Sequence, residues 1–506
     1  MYKVVLFSDV SRKLQGKGLG VYRLANHLRA NGYPTKVIHG YIKLSDDEFA
    51  ELADKFITDD TLLVGLGATV LANLEQSKFF GITNEQTRNR FELLRLKFPN
   101  VRLCLGGAQV TGATADFLYQ FDYFDYFVKG QAEASTLEIV KHLANNDPLP
   151  NGIISDKEYP FDDFNTTTNF FEPCDAVQHG EALPIEIARG CIFKCKFCGY
   201  DLIGKKLGDF VKRPELLREE LIRNYHEHGT TDYYVADETI NDSMEKVDML
   251  LESVKDLPFK PKFGGFLRLD LIWKYPEMAQ KLLDWGLETC SFGIETINDA
   301  SGKSVGKGLG KQRIEETLTL LKEVWKDKVY VNASFILGLK YDDHNTAVEL
   351  DEWIGQMFDQ QKLHMVFVKP LYIMPGTGIS YLDQHYQDQG YSVLQDFRTV
   401  KSDRIRTVVD NDCIQWKNDR YDYLEASKDA DVIHEKYNNI KLCKGKIGKH
   451  NFAFVKSLLP EVYKPQLLRS AIHNVPFDGM TFAETEQYIE SLEKQHFLKY
   501  IELLKK

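Results

Sequence analysis

The sequence predicts an α/β protein in three parts: an N-terminal doubly wound domain, a partial (β/α)6 barrel, and a mostly helical C-terminal region. Two successive series of short apolar runs alternating with helix-like stretches predict the first two parts. Loss of that alternation after about residue 390 predicts the third. A chain of 506 residues also exceeds what one ordinary core accommodates, so division into domains is expected.

In the first series, Lys3 to Phe7, Thr35 to His39, Thr61 to Gly65, Val101 to Leu105 and Tyr126 to Lys129 read as strands. Val21, Leu24, Ala25 and Leu28 recur at helical spacing, and Asn31-Gly32 supplies a stop. Residues 1–145 are therefore read as a doubly wound, Rossmann-like domain. Residues 146–180, opening on Asn-Asp-Pro-Leu-Pro-Asn-Gly without sustained periodicity, read as a linker. The second series runs through Pro184 to Ala188, Asp232 to Val235, Phe263 to Arg268, Thr289 to Gly293, Val329 to Ile336 and Met365 to Lys369. Six such βα units over residues 181–390 predict a partial barrel with its chemistry at the strands' C-terminal ends. Residues 391–506 are expected to be a helical lid or substrate domain ending in the amphipathic segment Phe482 to Lys505.

Composition narrows the class. With 43% hydrophobic and 27% charged residues the chain is globular rather than disordered. A net charge of -11 argues against a surface that coats nucleic acid, while leaving room for a local patch that binds phosphates or nucleic acid. No apolar run approaches the roughly 18 to 20 residues that span a bilayer, and MYKVVLFSDV lacks a basic and then apolar leader pattern. A cytoplasmic location without a membrane partner is expected.

Three of the eight cysteines fall in Cys191-x-x-x-Cys195-x-x-Cys198, directly after the first barrel strand. Clustered thiols in a reducing compartment point to metal. Three sulfur ligands on a four-iron cluster would leave one iron open to a small molecule. A structural zinc site would want a fourth Cys or His nearby, whereas Cys104, Cys174, Cys290, Cys413 and Cys443 are isolated.

The pattern Cys-x-x-x-Cys-x-aromatic-Cys, met by Cys191, Cys195, Phe197 and Cys198 after the lead-in Glu186-Ile-Ala-Arg189-Gly190, resembles the radical S-adenosylmethionine (SAM) superfamily. The resemblance implies a 4Fe-4S cluster on Cys191, Cys195 and Cys198 that cleaves SAM to a 5'-deoxyadenosyl radical. It places Phe197, Gly199, Asp237, Arg268, Gly293, Glu295 and Gly338 at the SAM site, with Arg268 suited to a carboxylate and Glu295 to ribose hydroxyls. No side-chain acid or base is needed for that first step, so no catalytic residue is assigned. The chain departs from the family where Gly338-Leu339-Lys340-Tyr341-Asp342 stands in place of Gly-x-Pro-Gly-Glu.

The N-terminal segment resembles the cobalamin-binding domain that precedes the barrel in one subgroup of the same superfamily. The matching stretches are Gly20 to Gly32, Leu105-Gly106-Gly107 and Val128 to Leu137. No Asp-x-His-x-x-Gly is present, so a histidine-ligated cobalt is not expected, and His27 and His39 are read as packed or surface residues. Gly16-Lys17-Gly18-Leu19-Gly20 fits no nucleotide-binding spacing. The resemblance implies cobalamin-dependent methylation of an unactivated carbon. Two alternatives stand beside it: a cobalamin-independent radical rearrangement or cyclisation, and a metal-binding regulatory or scaffold protein. A small-molecule or phosphorylated substrate is expected, the latter from the basic run Lys441 to His450, together with a one-electron donor such as a flavodoxin or ferredoxin.

Overall fold

The computed structural model describes residues 1–8, 16–68, 84–107, 110–111, 115–118, 121–148, 152–161, 164–165, 168–198, 202–373, 386–395, 415–438, 451–473 and 475–506. Gly199, Cys413, Cys443 and the run from Lys441 to His450 lie outside these residues.

The N-terminal sheet is parallel throughout and six-stranded. Its strands are β1 Val4–Ser8, β2 Thr35–His39, β3 Leu63–Gly67, β4 Arg102–Gly106, β5 Tyr126–Lys129 and β6 Ile153–Ser155, in the order β2-β1-β3-β4-β5-β6. β1 and β2 are buried at every position, which is why they read as continuous apolar-rich runs rather than alternating ones. Helix Leu19–Ala30 buries Tyr22, Ala25 and Leu28 and ends at Asn31, with Gly32 left-handed at φ 84°. β6 comes from the segment expected to be a linker. Three residues are too few to show a period, and pairing with β5 supplies its alignment. The order of strands switches direction between β1 and β3, where ligands of open α/β sheets bind. Segments 9–15 and 69–83, which leave those strands, lie outside the described residues.

The second sheet runs β7 Leu183–Glu186, β8 Asp232–Ala236, β9 Lys262–Leu267, β10 Leu287–Glu295, β11 Tyr330–Leu337 and β12 Met365–Pro370. Each strand pairs in parallel with the next in sequence, and β7 and β12 remain the two edges, giving a partial barrel. The sequence-predicted strands overlap all six, with ends displaced by one or two residues in most.

The C-terminal region does more than cover one face. Helix Tyr423–Asn438 packs on β11 and β12, so it supplies the cover expected for the open lateral edge. Helix Asn451–Leu458 instead plugs the opposite, N-terminal mouth of the barrel. There Phe452 stacks on Tyr330 at 5.6 Å, and Lys456 lies 3.2 Å from Asp232 and 2.5 Å from Glu288. Helix Phe482–Lys505, opened by a capping box of Thr481 and Glu484, straps back onto the N-terminal domain. Its Tyr500, Ile501 and Leu504 join Phe7 and Tyr41 in one core. A two-stranded antiparallel ribbon, Ser392–Gln395 with Gln415–Lys417, was not expected in a helical region. It is held by Trp416, whose indole donates to the Leu371 carbonyl at 2.9 Å. Among the described residues no helix is long and apolar enough to cross a membrane.

Candidate active site

The cysteine loop leaves β7 and folds against the segment that returns toward the next helix. Arg189 N donates to Phe210 O at 3.0 Å, Cys191 N to Leu202 O at 3.2 Å, and Gly204 N to Cys191 O at 2.7 Å. A turn closed by Cys198 N and Cys195 O at 3.0 Å brings the second and third cysteines together along the chain. Lys196 N donates to Val305 O at 3.2 Å, tying the loop to helix Asp299–Val305 beyond β10. The thiols therefore sit at the C-terminal ends of the strands, where barrel chemistry is placed.

Two of the thiols have partners from neighbouring strand ends. Cys191 Sγ is 3.3 Å from Thr239 Oγ1, and Arg268 Nη1 donates to Cys195 Sγ at 3.4 Å. Arg268 is 6% exposed, stacks on the Phe193 ring at 3.7 Å, and grips Asp270 with both Nε (2.9 Å) and Nη2 (2.6 Å). Burial works against its charge, but Asp270 and Cys195 outweigh burial and raise its basicity. Its fork thus faces a carboxylate of this chain, and its third nitrogen donates to a cysteine sulfur. Asp237 also turns inward. It accepts from Thr239 N at 2.9 Å and lies 2.7 Å from Lys246 Nζ, which fixes the turn carrying the Thr239 hydroxyl toward Cys191.

Among the described residues no three His, Cys, Asp or Glu side chains converge on one point. The donor chemistry nonetheless fits a thiolate-held cluster: three sulfurs from one loop, one of them beside a guanidinium. Cys104, Cys174 and Cys290 lie apart in β4, the turn Pro173–Asp175 and β10. Cys290 is fully buried, and burial pushes its thiol well up, as befits a core residue.

A small open cleft, with a cavity volume of about 20 Å³, lies beside the loop between the ends of β9 and β10, lined by Asp270, Gly293, Ile294, Lys307 and Leu309. Glu295 reaches its edge through a register shift after Gly293 and holds a left-handed backbone, φ 70°, unusual for a non-glycine. Burial raises the Glu295 carboxyl despite Lys307 at 3.9 Å and the Ser334 hydroxyl at 3.4 Å. Lys307 Nζ donates to Gly293 O at 2.8 Å. Lys307, just beyond helix Asp299–Val305, is not among the site residues expected from the sequence. The signal was present as a lysine between Gly306 and Gly308.

Phe197 is half-buried against the barrel core. Gly338 directly follows β11. Its φ is 92°, a Cβ there would meet the Trp416 ring at 2.2 Å, and its carbonyl accepts from Tyr391 Oη at 2.9 Å. Only glycine fits, for a packing reason. In the loop that follows, Asp342 accepts from Ser301 Oγ at 2.5 Å and from Leu339 N at 3.0 Å, and burial pushes its carboxyl up to about 6. Its folded pKa exceeds the unfolded value, so the folded state holds the proton more tightly. Stability is therefore lost as pH rises between about 4 and 6, by about 3 kcal/mol in full. Asp342→Asn is expected to remove this loss. Urea midpoints of variant and wild type should converge near pH 4 and separate at pH 7.5, with the variant higher; equal midpoints at both pH values would contradict it.

In the N-terminal domain, Gly107 at φ 111° lets the end of β4 pass close to Ala68, whose carbonyl would lie 2.2 Å from any Cβ. His39 is buried and its basicity is held well down by burial and by Lys17, while His27 packs edge-on against Phe161 at 5.3 Å. Lys17 of the glycine loop is buried, 4.6 Å from the Tyr500 ring and 3.8 Å from Glu181.

Residues 185–354 match the sequence profile of the family described as the Radical SAM superfamily. The chain is 23% identical over 305 residues to the anaerobic magnesium-protoporphyrin IX monomethyl ester cyclase of Synechocystis sp., covering 56% of this chain and 58% of that protein. It is 22% identical over 255 residues to the bacteriochlorophyllide d C-8(2)-methyltransferase of Chlorobaculum tepidum, covering 48% and 51%. The matched region is thus little more than half the length of either relative. Among solved structures, the radical SAM methyltransferase TsrM of Kitasatospora setae, with cobalamin and an iron-sulfur cluster bound, aligns over 94% of this chain and all of that one (TM-score 0.64, 14% identity). The cobalamin-dependent radical SAM enzyme OxsB, with aqua-cobalamin and SAM bound, aligns over 99% and 80% (TM-score 0.62, 13% identity). At such identities the likeness is one of fold.

Proposed function

We propose, from the match of residues 185–354 to the Radical SAM superfamily, that this chain is a cobalamin-dependent radical SAM enzyme that methylates an unactivated carbon. The observation that carries the reading is the Cys191, Cys195, Cys198 loop at the C-terminal end of β7, with Arg268 on Cys195 and an open cleft beside it. When bound, the cluster supplies the electron that splits SAM, and cobalamin supplies a methyl carrier. Cys191, Cys195 and Cys198 would hold the cluster, and Arg268 places a guanidinium donor on the Cys195 sulfur. Lys307 presents an ammonium to the carboxylate end of a ligand in the cleft, and Glu295 accepts from hydroxyls. Apolar Leu269, Ile294 and Leu309 exclude water from the same cleft. The switch point between β1 and β3 is where a corrinoid would bind in an open α/β sheet. A one-electron donor and a small-molecule or phosphorylated substrate complete the proposal.

A cobalamin-free cyclisation is the second reading; its cyclisation part is favoured by the Synechocystis relative being named a cyclase. Iron and corrinoid analysis of one anaerobically purified sample separates the two. About four irons and one cobalt per chain are expected for one thiolate-held cubane and one corrinoid. Iron without cobalt, after growth with added cobalamin, would move the assignment to the cobalamin-free reaction. Failure of the reduced protein to cleave SAM would leave a metal-binding scaffold.

A further inference from the structure

Four charged side chains from three parts of the chain meet in one buried network beside the cysteine loop. Arg23 comes from helix Leu19–Ala30 and Glu133 from the first turn of helix Ala132–Asn145, both in the N-terminal domain. Glu186 ends β7, and Arg189 stands two residues before Cys191. Arg189 donates through Nη2 to Glu133 Oε1 at 2.5 Å, through Nε to Glu186 Oε1 at 2.6 Å, and through Nη1 to Gln131 Oε1 at 2.9 Å. Arg23 Nε lies 3.1 Å from Glu186 Oε2 and 3.7 Å from Glu133 Oε1, and its Nη2 donates to Phe164 O at 2.9 Å. The Phe164 ring lies against both guanidiniums, at 5.1 and 5.2 Å. Arg23, Glu133 and Glu186 are 1%, 4% and 6% exposed.

Two cations face two anions, so the charges cancel. Burial opposes ionisation of Glu186, but Arg189 and Arg23 overcome it and hold the carboxyl below its usual range. Apolar side chains would join two domains with less desolvation, so what a paired network adds is a single fixed geometry. What it fixes is the start of the cysteine loop. The side chain of Arg189 is anchored to the N-terminal domain, while its backbone pairs with Phe210 and leads directly into Gly190-Cys191.

We infer that Glu133 and Arg23 are positioning residues that set the cysteine loop from across the domain boundary, acting through Arg189. The inference rests on the reading of the three cysteines as cluster ligands. The test uses full-length protein, reconstituted anaerobically with iron and sulfide, in three variants. Glu133→Gln removes one charge and keeps the shape. Gln131→Ala removes one neutral hydrogen bond and leaves all four charges paired, so it decides the question if Glu133→Gln does not fold. Asp175→Asn breaks the Arg29–Asp175 pair, 2.8 Å, on the same helix Leu19–Ala30 without touching Arg189, and is the control.

Deuterium exchange of peptides covering residues 187–198 and the electron paramagnetic resonance spectrum of the reduced cluster, with and without SAM, are the readouts. Glu133→Gln is expected to keep its iron, exchange roughly tenfold faster in those peptides, and show displaced g values. Gln131→Ala moves both readouts the same way by less, and Asp175→Asn moves neither. Wild-type exchange and spectra in both Glu133→Gln and Gln131→Ala would overturn the inference, as would equal changes in Asp175→Asn. Should the wild type bind no iron, the cluster reading fails on its own, and exchange in the loop still decides the positioning claim.

Discussion

Replacing Cys191, Cys195 and Cys198 together with alanine is expected to abolish both iron binding and SAM cleavage. The expected loss is on the order of 10⁶-fold or more, because nothing else in the described site can deliver an electron to the sulfonium. Isolated Cys104, Cys174 and Cys290 cannot substitute, since they lie in β4, a distant turn and β10. The fold should survive. The thiols sit on a loop whose backbone bonds, Arg189 to Phe210 and Cys191 to Leu202, do not use the sulfur atoms. Far-ultraviolet circular dichroism of the variant should therefore match the wild type while 5'-deoxyadenosine formation falls to the level of buffer. Retained cleavage in a correctly folded variant would remove the proposed mechanism. The single variant Arg268→Met gives a graded companion. It loses the donor on Cys195 and leaves Asp270 half-buried without its fork, so its iron should be more easily lost to chelator than that of the wild type.

The parts of this protein legible in its sequence are those whose cause is local. Parallel strands buried on both faces announce themselves as apolar runs, so the barrel strands emerge with ends displaced by little. The cysteine triplet is local too, three donors on one loop. Partnerships made by the fold are not legible. Arg268 read as a clamp for a ligand carboxylate, yet Asp270 two residues along fills its fork. At Gly338 nothing in the sequence signals that Trp416, remote along the chain, lies where a Cβ would be. Lys307 and Glu295 approach only because a shift in register after Gly293 turns Glu295 toward the cleft. The buried network of Arg23, Glu133, Glu186 and Arg189 joins segments with no pattern in common.

Lys456 shows the same blindness with the largest consequence for stability. Nothing around it in sequence marks it as more than a solvated lysine, but helix Asn451–Leu458 carries it into the N-terminal mouth of the barrel, 168 residues from Glu288. It is 6% exposed, between Asp232 at the start of β8 and Glu288 near the start of β10. Burial opposes its charge, and the two carboxylates more than offset that, raising its basicity. Lys262 approaches Glu288 only to 3.9 Å, so Lys456 is the main partner of both acids. Lys456→Met keeps the packing of the stem and leaves the Asp232 carboxylate buried without its cation. Removal of one partner from a buried pair costs about 3 to 5 kcal/mol, a large share of the roughly 5 to 15 kcal/mol that holds a domain folded. The plug helix should loosen first, since Phe452 on Tyr330 then carries the contact. Limited proteolysis should accordingly cut around residues 451–458 before any other described segment, with a lowered urea midpoint for the barrel. Adding Asp232→Asn to Lys456→Met removes the orphaned charge and should recover most of the loss. If the double variant is no more stable than the single one, the penalty comes from lost packing of the lysine stem rather than from the unpaired carboxylate.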